Sequence, residues 1–88
     1  MEAARKGFED ALKIYRELAQ KNPDTYLPDM AQTLNDLALL DRDQKRMEAA
    51  RKALEEALGI YERFAERNPE RFQSDVERVK GLLQTLSQ

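Results

Sequence analysis

The chain has 88 residues and a mass of 10.2 kDa, which fits one small domain over residues 1–88 with a thin core. Charged residues make up 36% of it but leave a net charge of -2, with Lys and Arg interspersed among Glu and Asp; this excludes the basic face that a nucleic-acid partner requires. Cysteine and histidine are both absent, which removes disulfides, the usual zinc sites and the Ser-His and Cys-His nucleophile pairs, and makes a cytoplasmic location the default.

Taken in chain order, Ala4, Phe8, Ala11, Tyr15 and Leu18 recur at steps of four and three, broadened by Leu12, Ile14 and Ala19, and predict an amphipathic helix over about residues 2–21. Glu9 with Lys13 and Glu17 with Lys21 add ion pairs in the favourable order, and Asn22-Pro23 ends the helix, because the residue before proline is pushed out of the helical region. Met30, Leu34, Leu37 and Leu40 predict a second helix over about 28–42, with Pro28 at an early position and Asp29 and Gln32 as a capping box. Met47, Ala50, Leu54, Ala57, Tyr61 and Phe64 predict a third over about 46–67, ending at Asn68-Pro69. Ser74 with Glu77, then Val76, Val79, Leu82, Leu83 and Leu86, predict a fourth over about 72–87. Gly7 and Gly59 interrupt the first and third helices, as sites of close approach or of simple tolerance. The longest aliphatic run, Leu37 to Leu40, is far below the ~20 apolar residues that cross a bilayer, so no membrane is involved. The fold class is all-α, with short connections and antiparallel neighbours.

Residues 1–23 return as residues 47–69 with 14 of 23 positions identical, so the chain is a repeat with copies at 1–46 and 47–88. Self-similarity at this period marks a helical array, in which each unit buries its apolar face on its neighbours. The fourth helix aligns less well with the second: between 24–42 and 70–88 only Asp29/Asp75, Leu37/Leu83 and Leu40/Leu86 are identical, and a one-residue shift fits the leucines better. It reads as a terminal cap.

Leu34, then Leu37 and Ala38, then Ala50, Leu54 and Ala57 follow the order of the tetratricopeptide pattern, and Ala4, Phe8 and Ala11 repeat its second-helix half. The chain resembles the tetratricopeptide repeat family over nearly its whole length, and its long second-type helices resemble the extended bacterial and archaeal subclass with repeats of about 42–46 residues. The resemblance implies an α-solenoid fragment that begins with a second-type helix and ends with a first-type one. Asp41 stands where the family pattern has a large apolar residue, which implies looser packing there.

The resemblance also implies that first-type helices line the concave binding surface, which selects Gln32, Asn35, Leu39 and Arg42 on the second helix and Glu77, Lys80, Gln84 and Ser87 on the fourth. The family's clamp for C-terminal carboxylates needs three such helices and a Lys, Arg and Asn set not matched here, so chaperone-tail binding is not expected. The isolated glycines form no phosphate cradle, and adjacent carboxylates such as Glu55 and Glu56 point about 100° apart. No catalytic residue, metal or cofactor is expected. The function expected is a protein-interaction scaffold that self-associates, with a dimer favoured, through Phe8 and Tyr15 of the first helix and Val79, Leu83 and Leu86 of the fourth. Two other readings are a structural C-terminal segment of a longer array and a small helical enzyme of chorismate-mutase type; the second needs charges on buried stripes that here carry Ala, Leu, Phe, Tyr and Met.

Overall fold

The computed structural model describes residues 2–87, with side chains from 3 to 86, as four helices: α1 (Glu2–Lys21), α2 (Pro23–Asp43), α3 (Met47–Arg67) and α4 (Pro69–Ser87). No strand occurs among the described residues. Each helix packs on the next in sequence, α1 on α2, α2 on α3 and α3 on α4. One apolar cluster runs through the stack from Leu12 on α1 to Val79 on α4.

The junctions come in two kinds. At Asn22 and Asn68 a single non-helical residue separates two helices: each asparagine N–H still donates to the carbonyl four residues back, Leu18 or Phe64, at 2.9 Å. The following prolines then take the first helical position, where a missing N–H costs nothing. Helices α2 and α4 therefore begin at Pro23 and Pro69, earlier than the sequence pattern predicts at 28 and 72. Pro28 lies inside α2; it leaves the Asp24 carbonyl without its intrahelical donor at an exposed residue, where solvent is accessible. Asp29 and Ser74 accordingly lie inside helices and cap nothing: Thr33 Oγ1 donates back to the Asp29 carbonyl at 3.1 Å. The cap that does form at the start of α4 is Asn68, whose Oδ1 accepts the Arg71 N–H at 3.3 Å.

The third junction is a turn. Arg46 N–H donates to Asp41 O at 2.7 Å and Lys45 N–H to Arg42 O at 2.9 Å, with Lys45 at φ 62°. This is the Schellman closure, with lysine at the left-handed position that usually holds glycine. No close approach occurs at Gly7 or Gly59, since a Cβ added at either meets nothing within 4 Å.

Asp41 does not loosen the packing. It is 1% exposed and paired with Arg5, which reaches it from the start of α1 and also lies 3.4 Å from Glu9. A buried ion pair fills the place where the family pattern puts a large apolar residue.

Candidate interaction surfaces

The two copies of the repeat share one packing geometry. The cleft between α1 and α2 is lined by Arg16, Ala19, Gln20, Leu27 and Met30, and the cleft between α3 and α4 by Glu62, Ala65, Glu66, Gln73 and Val76 with Lys80. Each residue of the first set returns 46 positions later in the second. Helix α4 therefore meets α3 in the unshifted register in which α2 meets α1.

That register decides which faces the predicted residues occupy. On α2, Ala31, Leu34 and Ala38 are buried; at the same positions on α4, Glu77, Lys80 and Gln84 are exposed. Helix α2 has a helix on each side and α4 only one, so Ala31, Leu34 and Ala38 are the stripe that meets α3. Glu77, Lys80 and Gln84 are exposed on α4, and Lys80 also borders the α3–α4 cleft beside Glu62. They line, with Gly81 and Leu83, a depression on the outer side of α4, and they do not converge with the α2 set. The one-residue shift matched leucines of one stripe to those of the other; this explains the misplacement. The side chain of Ser87 lies outside the described residues.

Of the α2 set, Gln32 is exposed and Leu39 and Arg42 are half-buried. Asn35 is buried at 4% exposure, and its Oδ1 has no hydrogen-bond partner among the described residues. It sits in the core and not on a groove wall.

Tyr61, whose place in the sequence pattern is that of a core or helix-contact aromatic with its hydroxyl turned to a polar partner, lies near residues of both α2 and α4. Its ring is buried on α3, with its centroid 6.4 Å from that of Phe72, and its hydroxyl lies in the field of Asp36 on α2 and of Asp75 and Arg78 on α4. Burial pushes the phenol above its ordinary pKa; the Asp75 carboxylate adds to this, and the positive charge of Arg78 opposes it. Arg78 also lies 3.1 Å from Asp75, and Gln32 donates to Asp36 at 3.2 Å. Asp36, Asp75 and Arg78 thus lie near enough to the Tyr61 hydroxyl for their charges to act on it, with Gln32 bonded to Asp36. Among the described residues no cluster of acidic side chains suits a metal ion, and no helix is long and apolar enough to cross a membrane.

The residues assigned to self-association serve the chain's own core. Val79 is 0% exposed and offers no surface, while Phe8, Tyr15, Leu83 and Leu86 are half-buried and pack against the central cluster. The exposed large apolar residue of α1 is Ile14, at 56%.

Residues 30–67, which hold most of α2 and all of α3, match the model of the tetratricopeptide repeat. This segment is tetratricopeptide-repeat-like. The matched segment is the first-type and second-type helix pair of that architecture, a helical repeat of protein-interaction type, with α1 before it and α4 after it. No curated protein and no solved structure matches the chain.

Proposed function

We propose that this tetratricopeptide-like chain is a non-catalytic scaffold that binds another protein across the surface shared by α2 and α4. The observation that carries the reading is the mixed-charge set Gln32, Asp36, Asp75 and Arg78, placed near a buried tyrosine by α2 and α4. Its donors and acceptors suit an extended polar peptide, and the half-buried Leu39 adds an apolar contact. The cysteine-free composition favours a cytosolic setting. Cross-linking in cells with the wild-type chain and with a folded Asp36→Arg, Arg78→Glu variant tests it. Partners that depend on this face disappear with the double reversal; an unchanged partner set would remove the surface from consideration.

Self-association through the terminal helices, as a dimer, is the second reading, favoured by the exposure of Ile14. Leu83→Asp is a poor probe, because Leu83 packs against the chain's own core. Sedimentation equilibrium of the wild type and of Ile14→Asp is the cleaner test. A dimer mass that Ile14→Asp returns to 10.2 kDa supports the reading, and a monomer at all concentrations ends it.

A further inference from the structure

Helices α1 and α3 are so alike that their apolar faces do not tell their places apart. Leu12, Tyr15 and Ala19 on α1 recur unchanged as Leu58, Tyr61 and Ala65 on α3. Two of the ion pairs do not discriminate either: Arg5, which meets Asp41, returns as Arg51, and Arg67, which meets Asp24, stands where α1 carries Lys21. The charge does reverse between the copies at two neighbouring positions, where Arg16-Glu17 on α1 becomes Glu62-Arg63 on α3.

The reversed residues meet opposite surroundings. Arg16 lies 2.6 Å from Glu56 on α3, and Glu62 lies 4.0 Å from Lys80 on α4. Glu62, Glu66 and Lys80 border the α3–α4 cleft; the α1–α2 cleft has Arg16 and Gln20 at the first two places, and the buried Leu34 stands at the position of Lys80. An α1 segment laid against α4 would therefore set Arg16 beside Lys80 and put Gln20 where Glu66 belongs. An α3 segment of a second copy, laid against α2, would set its Glu62 beside the resident Glu56. Each error replaces an attraction by a repulsion. We infer that the charges at positions 16 and 62, read by Glu56 and Lys80, assign the two near-identical helices to their own places, within one chain and between copies of it. This inference does not rest on the binding surface proposed for α2 and α4.

The test uses the absence of native cysteine. Glu66 and Gln73 line one cleft, Gln20 is the α1 counterpart of Glu66, and all three are exposed. Glu66→Cys with Gln73→Cys in the full chain calibrates disulfide formation in the native α3–α4 cleft. Gln20→Cys with Gln73→Cys reports α1 lying against α4. This reporter chain is refolded from urea under oxidising conditions with three charge patterns: the native one; Glu62→Arg with Lys80→Glu; and those two replacements together with Arg16→Glu and Glu56→Arg. All three keep both native contacts attractive, and urea denaturation of the reduced chains checks that their stabilities match. The second pattern puts arginine on both helices and so removes the distinction; the 20–73 disulfide is expected to rise about threefold or more, since an exposed contact discriminates by about fivefold at most. The third pattern inverts every charge and restores the distinction, so the yield is expected to fall back to the native level. An unchanged yield in the second pattern overturns the inference. A third pattern that cross-links as much as the second overturns it too, because the shared replacements at 62 and 80 would then have loosened α3 without any reading of charge.

Discussion

Helices α1 and α3 are nearly the same sequence in two environments. Both carry Glu-Ala-Ala-Arg-Lys near the start and are followed by Asn-Pro, yet Ile60 is 9% exposed and its counterpart Ile14 is 56% exposed. Helix propensity, the apolar stripe and the stop signal are local properties, and they reproduce themselves in both copies. Burial is not local. It depends on whether a helix precedes, and α1 has a neighbour on one side only.

The sharpest way to break the equivalence is to place a charge at the same repeat position in each copy. Ala50 is 0% exposed, and Ala50→Glu buries a carboxylate with no partner, at a cost of several kcal/mol. The whole chain is stable by roughly 4–13 kcal/mol on the usual scale per residue, so this variant is expected to lose cooperative folding. Ala4→Glu is expected to change stability by no more than about 0.5 kcal/mol. Thermal melts followed by circular dichroism compare the two, and equal losses would mean that the α1 face is covered in the isolated chain.

Arg5 and Arg51 give the next contrast. Arg5 neutralises the buried Asp41 carboxylate, whereas no carboxylate stands 46 positions after Asp41 to match Arg51, the counterpart of Arg5 in the sequence. Arg5→Ala is expected to cost about 3–5 kcal/mol by leaving Asp41 buried and unpaired, and Arg51→Ala no more than about 1 kcal/mol. The double replacement Arg5→Met, Asp41→Leu is expected to recover most of the loss, because it removes the buried charge together with its partner. Urea denaturation reads all three, and a double variant as unstable as Arg5→Ala would mean that lost packing, not the stranded charge, is the cause.

The four helices and their order were legible because the apolar steps of three and four and the Asn-Pro stops are contained within each segment. The starts of α2 and α4 were not, since reading Pro28 as a helix start treats it as a boundary, while the chain had already turned at Pro23. The partner of Asp41 was hidden for another reason: Arg5 lies at the other end of an antiparallel pair, and no spacing rule connects two residues so far apart in sequence. The α2–α4 surface was partly legible. Gln32 stood in the set selected on α2, but the leucines of α4 drew the alignment one residue off and matched Glu77, Lys80 and Gln84 to Gln32, Asn35 and Leu39, whose unshifted counterparts are Arg78, Gly81 and Thr85. The signal that would have corrected this was the unshifted period itself, which places Arg78 opposite Gln32.

A smaller effect tests how the two copies hold each other. Arg16 on α1 donates to both carboxylate oxygens of Glu56 on α3, at 2.6 and 3.0 Å, in a bidentate contact between partly exposed side chains. A double-mutant cycle with Arg16→Ala and Glu56→Ala is expected to give a coupling of about 0.2–1 kcal/mol that shrinks as salt rises. A larger coupling indifferent to salt would mean that the pair is less hydrated than its exposure indicates. The contact cannot recur one repeat later, because the counterpart of Arg16 is Glu62, which lies 4.0 Å from Lys80 instead.

The smallest effect at neutral pH, and the most specific, concerns Tyr61, whose position between α2 and α4 depends on both copies being in place. Its phenol has a pKa above the ordinary value in the folded chain, chiefly through burial and then through Asp75, whereas in the unfolded chain it titrates near 10. Above about pH 10 the unfolded chain therefore gives up this proton before the folded one does, and the folded state binds more protons than the unfolded state. The stabilisation linked to Tyr61 is fully present below that pH and is lost as pH rises from there toward the folded pKa. Tyr61→Phe has no such proton, so the wild type is expected to lose stability more steeply than the variant between about pH 10 and 11, with similar slopes below pH 9. Parallel curves across the alkaline limb would mean that the hydroxyl is as well solvated in the folded chain as in the unfolded one, and the space beside Asp36, Asp75 and Arg78 would then be open to water and not closed by α2 and α4.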